Sequence, residues 1–106
     1  SDGILYAHML AKDEGRLNFN LSGRALHNKT RALYPWPGTY GFIRNKRIKF
    51  FDSFFIETLH KKDVDPGTVV LAKEFLGVRT IDGIIYFKRI QIEGKNIMSV
   101  NEALKG

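Results

Sequence analysis

Three textures follow one another along the chain: a short apolar arm, one stretch of helical spacing, and a long run of two-residue alternation. Residues 1–20 read as the arm. Its "ILYAHML" is apolar but brief, and "AKDEGR" breaks it with polar residues and Gly15. Next, Leu21, Ala25, Leu26 and Ala32 or Leu33 recur at helical spacing, which predicts a helix over 22–33. Ser22 or Asn20 can cap its start, because a short side-chain oxygen accepts from the unpaired first-turn amides. Pro35 ends it, since proline disfavours helical geometry in the residue before it. Arg24, His27, Asn28 and Arg31 lie partly on one side of this helix.

After Pro37-Gly38 the period falls to two, and strands are predicted across 39–92. "TYGFIR" and "RIKFFDSFFIE" flank Asn45-Lys46, and asparagine tolerates the left-handed conformation of a tight hairpin. A turn on those two residues sets Ile43 opposite Ile48 and Phe42 opposite Lys49. One face of the hairpin then carries Ile43, Ile48 and Phe50. The other carries Tyr40, Phe42, Arg44, Arg47, Lys49 and Phe51. A loop punctuated by Pro66-Gly67 follows, then strands "TVVLAKE" and "FLGVRT", a turn at Ile81-Asp82-Gly83, and the long strand "IIYFKRIQIE". Gly94 turns the chain again. Ser99 and Glu102 have capping-box spacing and open a short helix over 99–105. The fold class is therefore mainly β with one or two short helices, in a small antiparallel barrel of the oligonucleotide-binding type.

Length and charge narrow this further. A chain of 106 residues fits one domain spanning 1–106, and 43% hydrophobic residues suffice for a packed core. No apolar run approaches the ~18 residues that cross a bilayer, and the start has neither the basic nor the long apolar region of a secretory signal. Cysteine is absent, which removes disulfides and thiolate metal sites and suits a reducing cytoplasm. The net charge of +6 favours a polyanion such as RNA, DNA or an acidic membrane face, although basic domains without one are common.

Catalytic motifs are not evident. His8, His27 and His60 are far apart and carry no ligand spacing, so no metal is expected. There is no nucleophile elbow and no phosphate-binding glycine loop. Acidic residues fall mostly in loops, without the pairing that acid–base chemistry requires. The residues read as a binding domain. The basic–aromatic face of the first hairpin is the site they favour, because cations neutralise phosphates and aromatic rings stack on exposed bases. Phe42, Phe51 and Tyr40 could equally be core, with the cations pointing outward. Lys88, Arg89 and Lys95 extend the patch or are simply solvated, and His27, Lys29 and Arg31 are by default solvent-facing.

Arg31-Ala32-Leu33 followed by Pro35-Trp36-Pro37-Gly38 resembles the helix-to-barrel junction in the C-terminal domain of methionyl-tRNA formyltransferases. "YAHMLAKDEGRLNFNLSGRAL", "IKFFDS", "DPGTVV" and "DGIIYFKRIQIEGKNIMSVNEAL" are similar to that family's segments in the same order, over almost the whole chain. The resemblance implies an oligonucleotide-binding-type barrel beside an N-terminal formyltransferase domain that uses 10-formyltetrahydrofolate. The catalytic Asn, His and Asp of that domain have no counterpart here, so the chain carries no catalytic residue, no cofactor and no expected activity alone. What carries over is binding of initiator tRNA, in the cytoplasm, through a basic surface. The residues expected on it are Arg31, Arg44, Lys46, Arg47, Lys49, Lys88, Arg89 and Lys95. Trp36 is expected to pack at an extended Pro-Trp-Pro link rather than stack on a base. Asn18-Phe19 stands where the family commonly has Asp-Trp, which weakens any carboxylate role there. The "SDG" start fits the expectation of an excised fragment or a stand-alone domain, in which the family's tail after the last helix is short or absent.

Two other readings stay open. The barrel could be a structural module of an amino-sugar or formyl-folate-processing formyltransferase or hydrolase, with no RNA role. It could also be a stand-alone oligonucleotide-binding protein.

Overall fold

The structure, a computed structural model, describes residues 15–58 and 65–105. Most of the expected arm, with His8, and the loop segment with His60 lie outside the described residues. The architecture matches the predicted class: a mainly antiparallel, curled sheet of oligonucleotide-binding type with two short helices. The elements are α1 (Gly23–Ala32), β1 (Thr39–Ile43), β2 (Lys46–Glu57), β3 (Val69–Leu71), β4 (Leu76–Arg79), β5 (Gly83–Ile92), β6 (Ile97–Ser99) and α2 (Val100–Lys105). The strand order is β1-β2-β5-β4-β3, and β6 pairs with β5 beyond β4. The strand at β6 is additional to those expected from the sequence. The end of the arm is pinned along β1, where Tyr40 N–H donates to Gly15 O and Leu17 N–H to Tyr40 O, both at 2.9 Å. Leu17 itself enters the core.

The first hairpin turns one residue earlier than predicted. Arg44 (φ 51°) and Asn45 (φ 68°) occupy the two turn positions, and Ile43 pairs with Lys46. Arg44 and Asn45 supply the two positive-φ positions that close a two-residue hairpin loop. This register sets Gly41 opposite Ile48 and beside the Phe50 ring, which an added Cβ would meet at 3.1 Å. Moving the turn by one residue shifts each pair by two, so inside and outside are preserved. Tyr40, Phe42, Arg47 and Lys49 still share the outer face.

Further along, the alternation reverses. Ile48 and Phe50 point into the core, but beyond Asp52 it is Phe55 that packs against it. On the partner strand Ile85 and Phe87 are in the core, and after Lys88 it is Ile90. The β2–β5 register runs unshifted through this point, from Ile48 opposite Ile92 to Glu57 opposite Gly83. Both strands therefore exchange faces together, at a residue, Asp52, held at φ 57°. Phe50 and Phe87 stack across the exchange, with centroids 4.4 Å apart.

Helix α1 is one residue shorter at each end than predicted. Ser22 caps it, its Oγ accepting from Ala25 N–H at 3.2 Å. A second cap comes from across the fold, where Asp82 Oδ1 accepts from Gly23 N–H at 2.9 Å. Of the predicted stripe only Leu26 is buried; Gly23 and Thr30 join it, while Leu21, Ala25 and Ala32 are exposed, because Gly23 sits against the Phe55 ring and so turns this face of the helix to the sheet. Thr30 donates to Leu26 O and accepts from Thr39, which ties the helix to the start of β1.

The Pro-Trp-Pro link is a tight turn rather than an extended one. Tyr34–Pro35 and Trp36–Pro37 are both cis, and Gly38 N–H donates back to Leu33 O at 2.9 Å. Trp36 is 60% exposed on this turn. At the other end Ser99 caps α2 as predicted: its Oγ accepts from Glu102 N–H at 3.1 Å and donates to the Glu102 carboxylate at 3.0 Å.

Propensity and packing disagree at Gly23. Alanine should favour the helix by about 1 kcal/mol, yet its Cβ would fall on the Phe55 ring. Gly23→Ala is expected to lose about 1–3 kcal/mol net, as overpacking does, read as a lower urea midpoint at unchanged slope. An unchanged or higher midpoint would contradict this packing.

Candidate functional site

The outer face of β1, β2 and β5 is built by register. Phe42 stands opposite Arg47, Tyr40 opposite Lys49, and Lys49 opposite Gln91. Phe42 is 51% exposed, and the Arg16 guanidinium carbon lies 5.0 Å from its ring centre. Tyr40 stands edge-on to Phe42 at 5.9 Å. Aromatic rings and cations thus alternate across the strands, as the sequence leads one to expect. Arg44 and Lys46 sit at the hairpin tip. Lys95 follows β5, its carbonyl accepting from Gln91 Nε2 at 2.9 Å. Arg16 belongs to this face too; only the parallel bridge to Tyr40 brings it there.

The remaining predicted cations are placed differently. Arg89 is opposite Phe51, with its guanidinium 5.8 Å from that ring. It forms an ion pair with Asp52. Its hydrogen bond to Asp52, then that to Tyr34, raise its pKa and keep it charged. Phe51 is buried, and Tyr34 stands edge-on to it at 6.2 Å. Lys88 lies at the face exchange itself, 5.9 Å from the Phe54 ring centre. There it flanks a second aromatic group, in which Phe54 stacks on Tyr86 at 5.1 Å and Phe75 meets both edge-on.

A cleft of about 410 Å³ opens where α1, the proline turn and β2 meet. The helix contributes His27, Thr30 and Arg31, the turn Tyr34, and the strand Phe51, Asp52 and Ser53. His27 is half-buried, not solvent-facing, and its Nδ1 lies 2.7 Å from Ser53 Oγ. Burial first, then the charges of Arg31 and Arg24, push its pKa below the ordinary value. Sequence reasoning missed this pairing because the two residues are 26 apart and Ser53 turns toward the helix only after the exchange at Asp52. One signal was available: the doubled phenylalanines of "FFDSFF", which strict alternation cannot bury on one side. Among the described residues, no three of His, Cys, Asp and Glu gather as metal ligands, and no helix is long and apolar enough to cross a membrane.

The family model described as the C-terminal domain of formyl transferases matches residues 9–106. The chain is 38% identical over 103 residues to a methionyl-tRNA formyltransferase of Thermodesulfovibrio yellowstonii, covering 97% of this chain and 32% of that protein. It is 37% identical over 106 residues to that of Rickettsia canadensis, covering 100% of this chain and 34% of that protein. It therefore spans about a third of the length of the curated relatives it matches. Among solved structures, HypX from Aquifex aeolicus in complex with tetrahydrofolic acid matches with a TM-score of 0.68. At 17% identity, covering 88% of this chain and 17% of that one, the likeness is one of fold alone.

The lowered pKa of His27 sets the direction of a pH effect. An unfolded chain takes up the proton first, so His27 contributes stability that is present above 6.5 and lost as pH falls through the folded value. In an NMR titration His27 is expected to titrate below 6.5, and Arg31→Ala to move it back upward, because one cation facing the ring is gone. A His27 pKa at or above 6.5 in the folded protein would contradict the site as described.

Proposed function

This chain belongs to the formyl transferase C-terminal domain family, and on that premise we propose that it is the tRNA-binding domain of a methionyl-tRNA formyltransferase. The observation that carries the reading is the outer sheet face, where Arg16, Arg47 and Lys49 alternate with Phe42 and Tyr40. The cations neutralise phosphates and release their counterions, which supplies affinity without sequence choice. The exposed rings add sequence-tolerant contact with bases or sugars. Arg44 and Lys46 at the hairpin tip and Lys95 beside Gln91 widen the same field. Arg31 sits at the cleft and Lys88 at the face exchange, so they would touch a different part of the RNA. Arg89 acts mainly within the protein, because Asp52 compensates its charge locally.

The mechanism is one of presentation. The basic face holds initiator tRNA so that a separate catalytic domain, which would carry 10-formyltetrahydrofolate, reaches the methionyl group. No catalytic residue is assigned here, and the site of action is taken as the cytoplasm.

The test is a salt-stepped anisotropy titration with initiator tRNA. Wild type should bind with a steep negative dependence of log affinity on log salt. Arg47→Glu with Lys49→Glu should weaken binding and flatten that slope by about one unit for each phosphate no longer neutralised. Wild-type binding unaffected by the double reversal would refute this face as the grip. No RNA binding at low salt would favour the structural-module reading.

A further inference from the structure

The cleft beside α1 is not needed for gripping a phosphate backbone, yet its chemistry is specific. We infer that it takes one unpaired nucleotide of an RNA strand that continues off the basic sheet face, an inference that rests on the tRNA-binding reading. The volume of about 410 Å³ suits a single nucleotide and is far too small for a duplex. Tyr34 supplies a ring that is 55% exposed and held edge-on against Phe51. A ring held in this way is a stacking platform with little freedom left to lose. His27 spends Nδ1 on Ser53, which leaves Nε2 as its remaining polar atom for a base edge or a 2′-hydroxyl. Arg31, exposed at the rim, is placed to meet the phosphate. The one carboxylate in the lining, Asp52, is committed to Arg89, so the cleft does not repel an anion as a free carboxylate would.

Continuity with the grip comes from the strand register. Phe51 and Arg89 form one pair across β2 and β5, and Lys49 and Gln91 form another two residues along. A strand crossing Lys49 therefore passes Phe51 before it reaches Tyr34. A single strand can follow this path and turn one unpaired base, short of its 3′ end, into the cleft, whereas a blunt duplex ends on the sheet.

The probes are two RNA hairpins with the same stem. One is blunt; the other carries a four-nucleotide 3′ overhang containing 2-aminopurine. The protein should bind the overhang hairpin at least about fivefold more tightly than the blunt one and quench the 2-aminopurine, as one base stack warrants. Tyr34→Ala should abolish that preference and the quench while leaving blunt-hairpin affinity unchanged. Tyr34→Phe, which keeps the ring, should retain both. Equal wild-type affinity for the two hairpins would overturn the cleft assignment and leave the basic-face reading standing. Failure to bind either hairpin would overturn both. Displacement of the overhang by micromolar AMP, with blunt binding intact, would reassign the cleft to a free nucleotide and overturn the strand assignment.

Discussion

The pairing of β2 with β5 is the constraint on which the rest depends. β1 hangs on one edge of β2, while β4 and β6 share the far edge of β5. Helix α1 packs against both strands. The core is largely what these two strands bury, with Phe50, Ile85, Phe87 and Ile90 at its centre. Non-local pairing of this kind requires loop closure before the strands can gain anything from meeting, so the local turns matter to it. Each closing turn supplies its own geometry: Arg44-Asn45 with positive φ, and Thr80 with Asp82, where the threonine N–H donates to Gly83 O.

Asp82 links that turn to the helix. Its Oδ1 accepts from both the Thr80 hydroxyl and Gly23 N–H. One carboxylate thus fixes the β4–β5 turn and the first turn of α1, and so helps to set where the helix lies over the sheet. The cleft inherits this placement, since His27 and Arg31 lie on that helix and Ser53 on the strand beneath it. The recognition chemistry proposed for this domain is therefore positioned from the opposite end of the helix.

Much of this was legible from residues alone. The Ser22 cap, the Ser99–Glu102 box, the glycine turns and the outer-face set of Tyr40, Phe42, Arg47 and Lys49 all follow from local rules, and local rules held. What escaped depends on tertiary placement. The helix stripe was only partly read: Leu26 is buried as expected, but Gly23 against Phe55 and Thr30, rather than Leu21, Ala25 and Ala32, complete the buried face. The hairpin turn moved by one residue because Arg44 joins Asn45 at positive φ, a conformation that residue type alone does not announce for an arginine. The proline link was misread because the turn is closed by Gly38 N–H reaching back to Leu33 O, a contact that residue types do not announce. His27 looked solvent-facing because its partner is reached only through the reversal at Asp52.

That reversal has a consequence for how such a domain diversifies. Because β2 and β5 exchange faces together, the outer surface near the hairpin tip and the outer surface around Phe54, Tyr86 and Phe75 are separate patches on one pair of strands. Ile48, Phe50 and Ile90 lie behind the first patch and Phe55, Ile85 and Phe87 behind the second, and the Phe50–Phe87 stack joins the two sets in one core. Substitutions that retune the charge of the first leave the support of the second untouched. The sheet therefore works as two modules joined at a swivel, and a lineage can rewrite one of its surfaces while conserving the other.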